Sequence, residues 1–140
     1  MIYLPENCYR VSVKALIYDE YWRFLLSKES NGRWDIPGGW LDHWEHPIDW
    51  LKREVKEEMW LEIIYINVSP SYVFSAYRWT SKSYDWVMNI CYELKLKNLD
   101  FISSSECEQI WFFTPEEALK LDLFENVEVL CQEMLRETSL

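Results

Sequence analysis

The chain is 140 residues long, 49% of its residues are hydrophobic, and its formal net charge at pH 7 is −10. This length and composition predict one domain with a substantial core and exclude a disordered chain, and no apolar run approaches the roughly 18 residues that a membrane span needs. The negative charge argues against DNA or RNA as a direct partner, because nucleic-acid binding depends on contacts to phosphate.

The first seven residues lack the basic and apolar regions of a signal peptide, and the four cysteines show no zinc-site spacing. Together these features predict a cytoplasmic protein with reduced thiols.

The first third of the chain predicts short strands. Alternating β-branched and apolar residues predict strands over residues 8–18 and 23–27. A short extended piece over residues 34–37 is predicted to stop at Gly38 and Gly39.

A helix is predicted next, because Pro47 suits a first helical turn and is followed by an apolar stripe at helical spacing. The stripe consists of Ile48, Leu51, Val55 and Met59. Further strands are predicted over residues 61–68, 72–77, 86–96 and 109–113, with a polar turn over residues 80–85.

The end of the chain predicts two helices. Thr114, with Pro115 at the first helical position and glutamates following, is a strong helix start, and residues 126–137 are amphipathic. Strands mixed with a few helices predict an α/β fold over residues 1–140, with helices covering both faces of a mixed sheet.

The predicted first helix carries a group of carboxylates. Glu54, Glu57 and Glu58 lie at positions i, i+3 and i+4, so they project from one face of the helix. Three such carboxylates repel each other, and the simplest resolution is one or more hard divalent cations, Mg²⁺ first. Such ions would bind phosphate oxygens and lower the pKa of a bound water. The alternative is a solvated acidic helix face.

Two flanking features fit the cation interpretation. Arg53 can pair across the turn with Glu57, or fold back onto Glu45 and hold the preceding loop against the helix. Gly38 and Gly39 allow the backbone to approach closely, so that a carbonyl oxygen there could also reach a metal.

This pattern resembles the Nudix box, Gly-x5-Glu-x7-Arg-Glu-U-x-Glu-Glu-x-Gly-U, in which U is aliphatic. The matching residues are Gly39, Glu45, Arg53, Glu54, Val55, Glu57, Glu58 and Leu61. Residues 32–39 are similar to the segment that directly precedes the box in the family. Residues 111–118 are similar to the family's junction between a late strand and the helix that follows it.

The resemblance implies the Nudix-type α/β/α sandwich, with a mixed β-sheet between helices. It also implies hydrolysis, dependent on Mg²⁺ or Mn²⁺, of a nucleoside diphosphate linked to another group, by attack of water on phosphorus. The substrate is then a small molecule, either an ADP-ribose-like compound or a nucleoside triphosphate, and family members are often homodimers. A non-catalytic module of the same fold that senses a nucleotide is the main alternative, and diphosphate isomerase chemistry is a weaker one.

By position, Glu54 and Glu58 match the family's main metal ligands. Glu57 matches a further ligand or the base that activates water, and the Gly39 carbonyl matches a backbone ligand. All three helix carboxylates are present, which favours the enzyme over the sensing module.

Other residues are implied less directly. Glu45 and Arg53 match the family's structural pair. Members often add an acidic ligand from a later loop, for which Glu106 and Glu108 are candidates, although both could equally be surface carboxylates.

Basic and aromatic residues elsewhere have weaker functional interpretations. Lys28 and Arg33 lie near the Gly-Gly turn and could meet phosphates, but ordinary surface charge is the alternative. His43 and His46 could bind a metal but are more simply exposed loop residues. Arg78 ends an alternating aromatic strand and could contact a base, although packing in the sheet is the commoner explanation.

The chain has three glycines and nine tryptophans, although glycine is normally about 7% of residues. Several tryptophans lie where the family favours glycine or a small residue. Trp60 replaces the final glycine of the box, Trp22, Trp40 and Trp44 lie where glycine is frequent, and Trp50 lies where a small residue is usual. If Trp60 follows the helix directly, it needs a positive φ, which is costly for any residue except glycine.

Two explanations of the tryptophan surplus compete. One is ordinary divergence, with tryptophan filling surface or dimer contacts. The other is recoding: some bacterial lineages read UGA as glycine, and the same codon read as tryptophan would produce this sequence. Trp34 lies where the family also has tryptophan, so it is genuine in either case.

Overall fold

The computed structural model of the protein describes residues 8–79 and 84–138. The strands are β1 Arg10–Leu16, β2 Phe24–Lys28, β3 Trp34–Asp35, β4 Gly38–Trp40, β5 Ile63–Ile66, β6 Tyr72–Trp79, β7 Tyr84–Leu96 and β8 Gln109–Phe113. The helices are α1 Pro47–Met59, α2 Pro115–Ala118 and α3 Glu125–Thr138. Most of the predicted polar turn, residues 80–83, lies outside the described residues.

The strands form two sheets. In the five-stranded sheet, β1 lies between β4, to which it is antiparallel, and β7, to which it is parallel. The long strand β7 pairs antiparallel with β6 along its first part and with β5 near its end. In the three-stranded sheet, β2 lies between β3 and β8, and both pairings are antiparallel. The predicted mixed sheet is confirmed, and a second, smaller sheet accompanies it.

Two apolar clusters explain the layered arrangement. Along β1 and just after it, Val13, Ala15 and Ile17 pack in the cluster that contains the buried face of α1, whereas Leu16 packs in the cluster that contains α3. The period-two alternation of a strand therefore supplies both clusters from one segment. The predicted sandwich with helices on both sides of the sheet is confirmed.

Helix α1 has the predicted bounds. The side chain of His46 caps it by accepting a hydrogen bond from the Ile48 N–H at 3.2 Å, and Pro47 occupies the first turn, where no N–H is needed. Leu51, Val55 and Met59 have no exposed surface, whereas Ile48 is only partly buried.

Three non-glycine residues have a positive φ in the described part of the chain, and all are tryptophans. Trp22 has φ 60°, Trp44 has φ 70° and Trp60 has φ 58°. Trp60 is the left-handed C-cap of α1, and its N–H donates to the carbonyl of Lys56. The conformation predicted for Trp60 is therefore confirmed.

The predicted extended piece is observed as β3, which ends at Asp35 before the two glycines, and residues 38–40 then begin the separate strand β4 beside β1. Gly38 has φ 126°, and a Cβ atom there would lie 2.1 Å from the carbonyl oxygen of Val13. Only glycine lets the two backbones come this close. The turn signal in the sequence thus marks a close approach between strands.

Two further findings bear on the sequence predictions. Among the described helices, none combines the length and apolar character needed to cross a membrane. The four cysteines are free, with Cys8 exposed and Cys91, Cys107 and Cys131 buried.

Helix α2 begins with the predicted cap. The Thr114 hydroxyl accepts a hydrogen bond from the Glu117 N–H at 3.2 Å, and the Glu117 carboxylate accepts one from the Thr114 N–H at 3.1 Å. Thr114→Ala removes the hydroxyl, so we expect the free energy of unfolding to fall by about 1 kcal/mol, measured by urea denaturation. Thr114→Ser keeps the hydroxyl and should behave like the parent chain. Equal stability of the alanine and serine variants would contradict this prediction.

Candidate active site

A cleft of about 690 Å³ lies where β1, β4, the loops after β2 and β3, and one flank of α1 meet. Its lining is mostly polar and dominated by carboxylates. The acidic residues are Glu29, Asp35, Asp42, Glu54, Glu58 and Glu106, and the basic residues are Lys14 and Arg78. The motif helix therefore presents two of its three glutamates to this cleft.

Glu58 is the most deeply placed of the helix carboxylates. Its side chain accepts a hydrogen bond from the backbone N–H of Gly38 and lies close enough to Glu54 to share another. Burial raises the pKa of the Glu58 carboxyl, Lys14 opposes the rise, and Glu54 adds to it. Burial also raises the pKa of Glu54. Two such carboxyls in contact form an oxygen-only donor set, and a divalent cation would offset their repulsion.

Arg53 organises the outer side of the same helix. Its guanidinium donates to Glu45 at 2.9 Å and to Glu57 at 3.2 Å, and it also lies 3.4 Å from Glu54 and 3.7 Å from Asp42. The two pairings proposed for Arg53 from the sequence thus occur together. The hydrogen bond from Arg53 lowers the pKa of Glu45. The loop before α1 is consequently tied to the helix by charge-assisted hydrogen bonds.

Glu57 is not part of the cleft lining. Its side chain is 57% exposed and is engaged by Arg53. Among residues 8–79 and 84–138, no three His, Cys, Asp or Glu side chains are grouped closely enough to hold a metal ion. The structure therefore brings Glu54 and Glu58 together and leaves Glu57 on the rim. The oxygen-only donor pair of Glu54 and Glu58 fits Mg²⁺ or Mn²⁺.

The later loop contributes one of its two candidates. Glu106 lines the cleft, whereas Glu108 is exposed outside it and its backbone N–H donates to the Lys28 carbonyl at 2.8 Å. Lys28 and Arg33 are also absent from the lining. The Arg33 guanidinium instead donates to the Leu123 carbonyl at 2.8 Å. The structure does not bring these two predicted phosphate contacts to the cleft.

Two other basic residues lie there instead, and sequence reasoning missed the first of them. Lys14 is only 3% exposed, and its Nζ lies 3.3 Å from both the Asp35 carboxylate and the Ile36 carbonyl oxygen. Its place in an alternating strand gave no signal that distinguishes it from a solvent-facing lysine. Arg78 was noted only as a possible base contact, and its guanidinium lies 5.5 Å from the ring centre of Trp40.

Trp50 also reaches the cleft. It is 2% exposed, and the edge of its indole would lie 3.4 Å from a Cβ atom on Gly39. Its indole N–H has no hydrogen-bond partner within the described part of the chain. A bulky side chain therefore covers the glycine whose carbonyl is the predicted backbone ligand. His43 and His46 are both exposed, and His46 serves as the cap of α1.

The sequence matches the NUDIX domain family over residues 9–132. Among curated proteins, none matches it significantly.

Solved structures share the fold at low sequence identity. A MutT protein from Methanosarcina mazei Go1 is 24% identical, with a TM-score of 0.73 over 98% of this chain and 100% of that one. An ADP-ribose pyrophosphatase from Streptococcus suis 89-1591 is 24% identical, with a TM-score of 0.64 over 92% of this chain and 93% of that one. A UDP-X diphosphatase is 17% identical, with a TM-score of 0.73 over 96% of this chain and 66% of that one.

The family match spans both sheets, α1 and most of α3, and it includes every residue of the motif from Gly39 to Leu61. The chain therefore belongs to the Nudix family, the family of pyrophosphohydrolases that this motif resembles.

Proposed function

We propose that this Nudix-family protein hydrolyses the diphosphate linkage of a nucleoside diphosphate derivative, with Mg²⁺ or Mn²⁺ as cofactor. The observation that carries the proposal is the contact between Glu54 and Glu58 at the wall of the cleft. These two carboxylates would hold the cation, and the Gly39 carbonyl would add a backbone ligand, whereas Glu57 is assigned here as the base that activates water. When bound, the cation supplies charge neutralisation at phosphate and acidifies water.

The chain's own residues account for the remaining requirements. Lys14 and Arg78 place two positive charges in the cleft, where they can bind the phosphate oxygens of the substrate. Glu57 lies on the rim, so in this proposal its side chain turns from Arg53 toward the cleft and accepts the proton of the attacking water as the new oxygen–phosphorus bond forms and the bridging phosphorus–oxygen bond breaks. Arg53 and Glu45 position the helix and the loop before it, without contact to the reacting atoms.

The substrate is proposed to be an ADP-ribose-like compound or a nucleoside triphosphate. The ADP-ribose pyrophosphatase, UDP-X diphosphatase and MutT structures support this class by their common fold. The test measures phosphate or nucleotide release at mildly alkaline pH from ADP-ribose, dinucleoside polyphosphates, NADH and nucleoside triphosphates. We expect turnover of at least one of them with Mg²⁺ and none with excess chelator. If none of these compounds is hydrolysed, the proposal is overturned.

A nucleotide-sensing module without catalysis is the second candidate. It is favoured by the exposed position of Glu57 and by the indole of Trp50 over Gly39. Calorimetric titration with a non-hydrolysable analogue separates the two functions. Tight binding that needs no Mg²⁺, with no turnover of the panel, would support the sensing module.

We also propose that positions 22, 44 and 60 are glycine in the protein as its own organism makes it. The left-handed conformation of all three residues supports recoding at these positions. Trp40 and Trp50 lack this support, because they lie in β4 and α1 with φ below zero. The source gene tests the proposal: UGA codons at the three positions would support it, and UGG codons would refute it.

The setting proposed for this activity is cytoplasmic, with a small-molecule substrate and no nucleic-acid partner. The net charge of −10 supports the latter. A homodimer is proposed because exposed hydrophobic side chains such as Ile64 and Tyr65 offer apolar contact surface. Light scattering during size-exclusion chromatography measures the oligomeric state directly.

A further inference from the structure

A small recess of about 20 Å³ adjoins the cleft. Ser12, Lys14, Trp40 and Arg78 line both, so the recess and the cleft meet at these side chains. In the five-stranded sheet, Trp40 pairs with Ser12, and Ser12 pairs with Asn89. Residues directly paired across strands point to the same face. The side chain of Asn89 therefore belongs to the floor of this recess.

Asn89 contains an unused hydrogen-bond acceptor. The residue has no exposed surface, and its Nδ2 donates to the Val87 carbonyl at 3.3 Å. Its Oδ1 has no hydrogen-bond partner among the residues that the structure describes. The nearby ammonium of Lys14 is used elsewhere, on Asp35 and Ile36. Because an unpaired buried acceptor carries a desolvation cost, this oxygen calls for a donor from outside the chain.

The size and borders of the recess restrict that donor. A single water needs about 10–15 Å³ of such space, so the recess admits one small group, while the cleft of about 690 Å³ holds the rest of a ligand. The border carries flat groups: the Arg78 guanidinium lies 5.5 Å from the Trp40 ring centre and 5.4 Å from that of Phe124. Flat ligands stack on such groups. A planar ring with an amino group at its edge meets both requirements.

We propose that Asn89 is a specificity-determining residue, whose Oδ1 accepts a hydrogen bond from the exocyclic amino group of the substrate's nucleobase. This inference rests on the proposed function, because it places the base of the same nucleotide. A base with a carbonyl oxygen at that edge would instead place a second hydrogen-bond acceptor against the Oδ1 of Asn89, which is unfavourable. Sites built around a hydrogen bond discriminate strongly against analogues that lack it, so we expect a preference of at least about tenfold for the amino-bearing base.

Equilibrium binding of nucleoside monophosphates tests this without catalysis. Calorimetry compares AMP with IMP, GMP with IMP, and CMP with UMP, pairs in which an amino group is replaced. Both the parent chain and Trp40→Gly are titrated, because the indole of Trp40 borders the recess. We expect the amino-bearing member of at least one pair to bind at least about tenfold tighter. Equal binding within every pair, in both proteins, would overturn the proposal.

Two variants then locate the acceptor. Asn89→Leu keeps the shape and removes the oxygen, so the preference should fall to within about twofold, whereas Asn89→Asp keeps an acceptor and should retain the preference. A preference that survives in Asn89→Leu would also overturn the proposal. Turnover of the substrate panel is scored separately: turnover without base preference defeats this inference alone, and base preference without turnover defeats the proposed hydrolysis alone.

Discussion

Glu57→Gln is expected to lower kcat by roughly 10²–10⁴-fold, the range typical for removal of a general base, while leaving the fold intact. Glu57 is 57% exposed and its ion pair with Arg53 lies at the surface, so its removal should change the free energy of unfolding by less than about 1 kcal/mol. The measurement pairs steady-state kinetics with urea denaturation, using a substrate that the panel identifies.

Glu62→Gln is the matched control for this variant. Glu62 is 71% exposed and forms a surface ion pair with Lys97 at 3.6 Å, but it lies beyond the end of α1 and outside the cleft. The same chemical change there should leave kcat unaltered. Hydrolysis by Glu57→Gln at the parent rate would show that the proton acceptor is another group, and Glu54 or Glu58 would then be tested in its place.

Replacing Trp22, Trp44 and Trp60 together by glycine is expected to stabilise the protein by roughly 3 kcal/mol. A left-handed conformation costs a residue with a side chain about 1–2 kcal/mol, and the greater freedom of unfolded glycine returns about 0.5–1 kcal/mol of that. Each site should thus gain about 1 kcal/mol, and separated sites add. The indoles are largely exposed, with Trp44 fully so, so little packing is lost.

Trp111→Gly is the control for this effect. Trp111 is 60% exposed, like Trp60, but it lies within β8 and has no positive φ. Glycine in a strand weakens it, so this variant should be less stable than the parent chain. If Trp60→Gly loses as much stability as Trp111→Gly, the backbone at position 60 carries no strain that glycine relieves. The same glycine variants, assayed on the substrate panel, show whether Trp44 and Trp60 impair turnover.

Local signals in the sequence predicted the parts of the fold that local interactions determine. Pro47, the apolar stripe and the positive φ of Trp60 define α1, and all of these depend on contacts within a few residues. The cap at Thr114 was predictable for the same reason. The pairing of Arg53 with Glu45 required knowledge that the loop folds back, which the motif spacing supplied.

Features that depend on distant partners were not predictable. Ser12 and Lys14 alternate with apolar residues in β1, a pattern that normally indicates a solvent face, yet both are 3% exposed. In the folded protein this face of β1 is covered, and both side chains line the cleft and the recess together with Trp40 and Arg78. The unpaired oxygen of Asn89 follows from the same distant pairing. The residue pattern of β1 or of β7 alone does not reveal that Ser12 and Asn89 line one recess.

The pairing of β1 with β7 also has a consequence for how the chain acquires its structure. Arg10 pairs with Val87, 77 residues later, and Phe24 of β2 pairs with Phe113, 89 residues later. In contrast, Trp79 and Tyr84 join β6 to β7 over a short connection. Contacts between distant residues form slowly, because closing a long loop costs entropy first. During synthesis, β1 and β2 therefore leave the ribosome long before β7 and β8 exist, and until then only their nearer partners, β4 and β3, are available for pairing.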